Sequence, residues 1–235
     1  LANRGYLPAD IVCIADEVFE KAIQNAKNIY STRAMAFIIK GLYFAGLKMH
    51  KEHHVALVNI LGQRLLKMYL HEAESSWQWY ESYLTYGNSI IPEAMLYAFI
   101  STGNKDYKEV AKETFDFLLS RTFSGDRMEV ISNQTWMHKG TDFKIKVSGG
   151  EQPIDVAYTI MALKSFSNVF DNYDYDYKMK KAFNWFLGDN HLQQIMYNPC
   201  TGGCYDGLEQ YNVNLNQGAE STVSYLMARL TLEGE

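Results

Sequence analysis

A chain of 235 residues can bury one sizeable core, and 47% apolar with 21% charged residues is an ordinary globular composition. The net charge of -5, with no basic run, excludes the electrostatic footprint of a nucleic-acid binder, and no apolar stretch reaches the ~20 residues that span a bilayer. Cys13, Cys200 and Cys204 are an odd number and make no disulfide framework, and a zinc site would need a second Cys pair; free thiols suit a reducing cytoplasm, the location expected. The chain starts at Leu1, not Met, so its N-terminus reads as trimmed, and a single domain over 1–235 is expected.

Periodicity predicts helices over 9–28, 31–47, 51–72, 88–101, 105–120, 152–169, 175–188 and 217–232. Pro8, Pro92 and Pro153 sit where helices begin. The segment 122–150 reads as one long loop with β-like pieces at 128–131 and 143–147, and loops of that length are usually functional.

The helices alternate in character. Those near 9–28, 51–72, 105–120 and 175–188 are amphipathic, whereas those near 31–47, 88–101, 152–169 and 217–232 are poor in charge and rich in Ala, Met, Gly and Tyr. The second set reads as buried. Its members recur at about 60 residues, the period of a repeated helical hairpin with one outer and one inner helix. The fold class is therefore all-α, an α/α toroid whose inner helices surround a funnel with their N-termini at one mouth.

Polar clusters fall at those inner N-termini: Ser31 to Arg33, Asn88 to Glu93, Glu151 to Asp155 and Asn216 to Glu220. A single cluster is read as a helix cap; four at the same phase of a repeat are read as a shared site. The last is the densest. Asp206, Glu209, Asn212, Asn214, Asn216, Gln217 and Glu220 precede a helix with an apolar stripe at Val223, Leu226, Met227 and Leu230, and Glu220 shares the side of Val223 and Met227. Acids and amides bond sugar hydroxyls, and aromatic faces cover the apolar side of a sugar ring. A single one of the 17 Tyr reads first as packing between helices with its hydroxyl in water, but the gathered acids, amides and aromatics make a carbohydrate ligand the expectation.

Glycoside hydrolysis needs two carboxylates. Glu81, Glu93, Asp155, Asp206 and Glu220 are candidates. Glu81 follows Trp77, Trp79 and Tyr80; Asp206 precedes Gly207, where backbone can approach a ligand. His50, His53 and His54 have metal-ligand spacing but read as a solvated face, so no metal is expected. His138, after Trp136, is a lone loop histidine and a weak general-base candidate.

The strings W-Q-W-Y-E-S-Y-L-T-Y-G-N-S-I-I-P-E-A (77–94), G-E-Q-P-I-D-V-A (150–157), F-N-W-F-L-G-D-N (183–190), Y-N-P-C-T-G-G-C-Y-D-G-L (197–208) and N-L-N-Q-G-A-E-S-T (214–222) resemble one family. It is the six-hairpin-glycosidase-like α/α toroid domain found C-terminal to bacterial retaining glycosyltransferases of the mannosyltransferase type. The resemblance covers about residues 30–232 and implies an α/α toroid, a carbohydrate context and a glycosyltransferase domain as partner. It brings no catalytic residues. This chain has Glu151-Gln152-Pro153 where the family usually has Q-Q-P, and Asp155 where it has Glu or Ala, so the resemblance gives Asp155 no role. Twelve helices make six hairpins and eight are counted, so the toroid is expected to be excised or incomplete.

The expected function is a carbohydrate-processing or carbohydrate-recognising domain. Its candidate catalytic residues are Glu220, Asp206 and Glu81, its candidate binding residues Trp79, Asn88, Gln152, Asn214 and Gln217, and no cofactor is expected. If catalytic, it hydrolyses or epimerises; the alternative is a noncatalytic scaffold that orients a glycosyltransferase or its acceptor.

Overall fold

The structure, a computed structural model, describes residues 4–47, 51–141 and 148–234. His50 and the expected strand at 143–147 lie outside the described residues. All eight predicted helices are present: α1 (Ala9–Ile23), α2 (Thr32–Gly46), α3 (Glu52–Glu72), α4 (Ile90–Thr102), α5 (Lys105–Thr122), α6 (Pro153–Phe170), α7 (Tyr173–Asn184) and α8 (Ala219–Glu233). Local chemistry sets their ends. Asn104 and Asn172 cap α5 and α7, each accepting the backbone N–H two residues on at 3.0 Å. Pro153 opens α6 at its first position. Two helices end early: α1 gives way to a 3-10 turn at Ala26–Asn28, and α7 to another at Trp185–Leu187.

Helices α2, α4, α6 and α8 pack side by side in that order, and α3, α5 and α7 lie outside them. The alternation read from charge is the alternation in space. Every residue of α4 from Ile90 to Ala98 is buried, as a helix apolar all round requires. The ends of the array differ. Among the residues of α1 none is buried. Helix α8 buries Ser221, Ser224, Tyr225 and Ala228 against its neighbours, and leaves Val223, Leu226 and Leu230 exposed. The expected buried stripe is thus the open one. Small Ser and Ala side chains let α8 approach α6 closely, so the packed face carries little apolar signal in sequence.

Short antiparallel strand pairs decorate one end. In the loop 122–150, β2 (Phe123–Ser124) and β3 (Arg127–Met128) form a hairpin, and β4 (Met137–His138) pairs with β1 (Tyr83–Leu84). Further on, β5 (Tyr197–Asn198) pairs with β6 (Gly203–Cys204), and β7 (Gly207–Leu208) with β8 (Val213–Asn214). Deep between the inner helices, Lys40 of α2 donates to Glu93 Oε2 of α4 at 2.5 Å. Glu93 Oε1 accepts from Ser165 of α6 at 2.9 Å and from Tyr97 at 3.3 Å. Glu93, a candidate acid from sequence, is a buried cross-link between three helices.

Candidate functional site at the mouth of the inner helices

Hydrogen bonds join the N-termini of α2, α4 and α6, and that of α8 shares a cleft with α6. Arg33, in the first turn of α2, donates to Tyr86 O at 2.6 Å, Thr85 Oγ1 at 2.5 Å and Asn88 Oδ1 at 3.1 Å, all in the turn that starts α4. Gly87 in that turn has φ +57, which glycine adopts without strain, and its N–H donates to Asp155 Oδ1 at 2.5 Å. Asp155 is in the first turn of α6, and Glu220 is exposed in the first turn of α8. Burial raises the Asp155 carboxyl to about 7; the Gly87 N–H and the Arg33 charge oppose the rise, and the Glu220 charge adds to it. Asp155 lines neither of the two clefts at this end, and its raised carboxyl feels the charge of the exposed Glu220.

On the α6–α8 side, Gln152, Asp206, Asn214 and Glu220 line one cleft of about 340 Å³, together with Asn133, Glu151 and Glu209. Four of the residues expected from sequence are thus brought together. Within it Asp206 Oδ1 accepts the Gly218 N–H at 2.8 Å, so this acid ties down the chain entering α8. Glu151 is buried; Trp185 Nε1 donates to its Oε2 at 2.8 Å, and His191 Nδ1 lies 2.7 Å from its Oε1. Burial raises the Glu151 carboxyl, against the pull of Trp185 and His191.

On the α2–α4 side a cleft of about 660 Å³ is lined by Tyr30, Thr32, Arg33, Glu81, Tyr86 and Trp136, among others. Tyr30, Tyr86 and Trp136 are exposed. Glu81 accepts from Thr32 at 2.7 Å and from Arg33 at 3.0 Å, so its charge is already matched. Trp136 has φ +51, a left-handed conformation that is uncommon for a bulky residue. Its ring faces Tyr83 at 6.1 Å.

Other expected site residues are buried or lie outside the two clefts. Trp79 is 0% exposed and packs against Tyr80 and Phe117, so it cannot stack on a sugar. Asn88 is buried and shapes the turn before α4, accepting the Thr85 N–H at 3.0 Å and donating to Thr85 O at 2.8 Å. Gln217 accepts from the Thr201 hydroxyl and covers Gly203, outside the cleft lining. Gly207 is constrained by backbone: a Cβ there would lie 2.9 Å from Glu151 O. Gly207→Ala is expected to push the β7 strand off Glu151 and to destabilise by about 1–3 kcal/mol; urea unfolding checks it. His138 is exposed, with its ring 6.2 Å from that of Tyr83. Sequence reasoning missed Arg33 as the pin of the mouth and Glu151 as a buried acid, although both lie in clusters it singled out.

The three cysteines are free, and burial pushes the Cys204 thiol up to about 12. Among the described residues no helix is long and apolar enough to cross a membrane.

The fold matches a solved structure: an inactive double Asp-to-Asn variant of an α-1,6-mannanase from Salegentibacter sp. HEL1_6, in complex with α-1,6-mannotriose. The TM-score is 0.59 at 14% identity, over 87% of this chain and 54% of that one. The fold is all-helical, an α/α toroid arrangement like that of the mannanase. The chain spans about half the length of the mannanase, with four outer–inner helix pairs among the described residues. No family model matches the sequence, and no curated protein matches it.

Proposed function

We propose that the mouth binds a glycan and cleaves a glycosidic bond in it, with Asp155 as proton donor and Glu220 as the opposing carboxylate. The observation that supports this best is Asp155 itself. It is a half-buried carboxyl raised to about 7 at the meeting point of the inner helices, within the field of Glu220. A raised carboxyl near a second, exposed carboxylate supplies the two acids that glycoside hydrolysis uses. Gln152 and Asn214 supply amides for sugar hydroxyls, and Trp136, Tyr86 and Tyr30 supply exposed rings for the apolar sugar face. In this reading Glu220 is the second carboxylate, and Asp206 and Glu81 hold the chain around the site through the donors they accept from.

The glycosyltransferase setting expected from sequence belongs to a second reading, a noncatalytic toroid that orients an acceptor glycan. Two observations favour it. Asp206 and Glu81 are both occupied by protein donors. The mannanase is inactivated by replacing two adjacent aspartates, and this chain holds no two adjacent aspartates.

Glu220→Gln separates the readings. It is expected to lower hydrolysis of α-1,6-mannotriose or another neutral oligosaccharide by about 10²–10⁴-fold. The melting temperature should move little, because an exposed acid near a helix N-terminus contributes only about 0.3–1 kcal/mol. A wild-type protein that binds glycans without releasing product supports the scaffold reading. A variant that melts several degrees lower yet keeps full binding or turnover makes Glu220 a cap.

A further inference from the structure

At the end of the helices opposite the mouth, the start of α3 meets α1. Glu20 of α1 faces two consecutive histidines of α3: His53 Nε2 lies 3.1 Å from Glu20 Oε2, and His54 Nε2 lies 3.0 Å from Glu20 Oε1. One ligand atom from each residue falls within 4.8 Å of the other two. With metal–nitrogen and metal–oxygen bonds of about 2.0–2.2 Å, the edges of a coordination tetrahedron are roughly 3.3 Å. Each histidine already faces one of the two Glu20 carboxylate oxygens, so a small shift brings the three groups to such spacing.

We propose that Glu20, His53 and His54 bind a divalent transition metal of the zinc type and staple α1 to α3. Two imidazoles and a carboxylate are a known zinc donor set, with a fourth position left to water. Imidazole selects this class over magnesium and calcium, which take oxygen ligands. His54 is buried with Phe19 edge-on at 5.8 Å, so its ring is held in place, while His53 closes the site from the solvent side. The site also answers a structural need. Helix α1 buries none of its residues, and Glu20 is its polar link to α3.

Lys51 is the built-in competitor. Its Nζ lies 2.6 Å from Glu20 Oε1 and meets part of the charge that a metal would neutralise. Its long stem is partly exposed and can swing the ammonium into water. The histidines have metal-ligand spacing but read as a solvated face beside Lys51 and Glu52, because Glu20 stands more than thirty residues away in sequence.

The test uses the full chain freed of metal by a chelator. Titration with Co²⁺, followed by its visible absorption, and with Zn²⁺ by calorimetry, is expected to show one equivalent bound. His53→Ala and Glu20→Gln should each weaken binding at least ~10-fold, the loss that removing even an outer-shell partner produces. Lys51→Ala should bind more tightly, and Zn²⁺ should slow proteolytic clipping of α1 in the wild type. If His54→Ala fails to fold, the exposed His53 and the Glu20 variants carry the comparison. No stoichiometric binding by the wild type, or equal binding by the His53 and Glu20 variants, overturns the proposal.

Discussion

Asp155→Asn is expected to lower turnover by orders of magnitude while leaving the protein at least as stable at pH 8 as the wild type. The two effects have one cause. Burial raises the Asp155 carboxyl from an ordinary 3.8 to about 7 in the folded protein. The unfolded chain releases this proton at lower pH, so between about pH 4 and 7 the folded state binds more protons than the unfolded state. Stability therefore falls as pH rises through that window, and above it the penalty stays constant. Asparagine has the same shape, accepts the Gly87 N–H and carries no charge to desolvate. Its expected gain at pH 8 is about 1–2 kcal/mol, less than the full shift because a charge-assisted hydrogen bond is lost with the carboxylate. At pH 4 wild type and variant should melt together. Turnover should drop by about 10²–10⁴-fold, the usual contribution of a general acid. Wild-type activity should also decline above pH 7, as the donor loses its proton. Unfolding curves and rates measured from pH 4 to 9 check all three outcomes. A variant that retains turnover removes Asp155 from the chemistry; one that melts lower at pH 8 shows that the carboxylate stabilises the mouth.

Much of this architecture was legible, because periodicity and charge report burial directly. The all-round apolar run at 90–98 could only be an inner helix, and the structure buries every residue of it. The 60-residue repeat placed the N-termini of α2, α4, α6 and α8 together, and Arg33, Gly87 and Asp155 now connect the first three of them. Side-chain direction was not legible. Trp79 and Glu81 are two residues apart beside a short strand, yet one ring is in the core and one carboxylate is at a cleft. An irregular segment gives no period from which to read facing. Asp206 and Glu220 looked alike as acids near α8. What separates them is a single backbone N–H, that of Gly218, which occupies Asp206 and leaves Glu220 open. Partners distant in sequence, such as Glu20 with His53 or Glu151 with His191, leave no local pattern at all.

The largest effect on stability is expected from the interior of the ring. Lys40→Met removes the cation from a pair in which the Glu93 side chain is 1% exposed. Breaking a buried pair by deleting one partner costs about 3–5 kcal/mol, because the remaining charge stays out of water. For a chain of this size that is a fall in melting temperature of roughly 10 °C. Glu93→Gln should be milder. Gln can still accept from Ser165 and Tyr97, and the Lys40 ammonium, at 10% side-chain exposure, has a flexible stem with which to reach water. The double variant Lys40→Met with Glu93→Leu should recover most of the loss, since a packed apolar pair of similar volume replaces two desolvated charges. Thermal melts of the three proteins give the order expected: double variant near wild type, Glu93→Gln below it, Lys40→Met lowest. A Lys40→Met protein within a degree or two of wild type would mean that the pair is solvated. The hydrogen bonds that Glu93 makes to α6 would then hold the inner helices together without the charge from α2. The comparison bears on the mouth as well, because the helices cross-linked here are those whose N-termini carry Arg33, Gly87 and Asp155. A variant that melts lower but keeps its fold at 20 °C should also bind glycan more weakly, as α2 and α4 lose their fixed spacing.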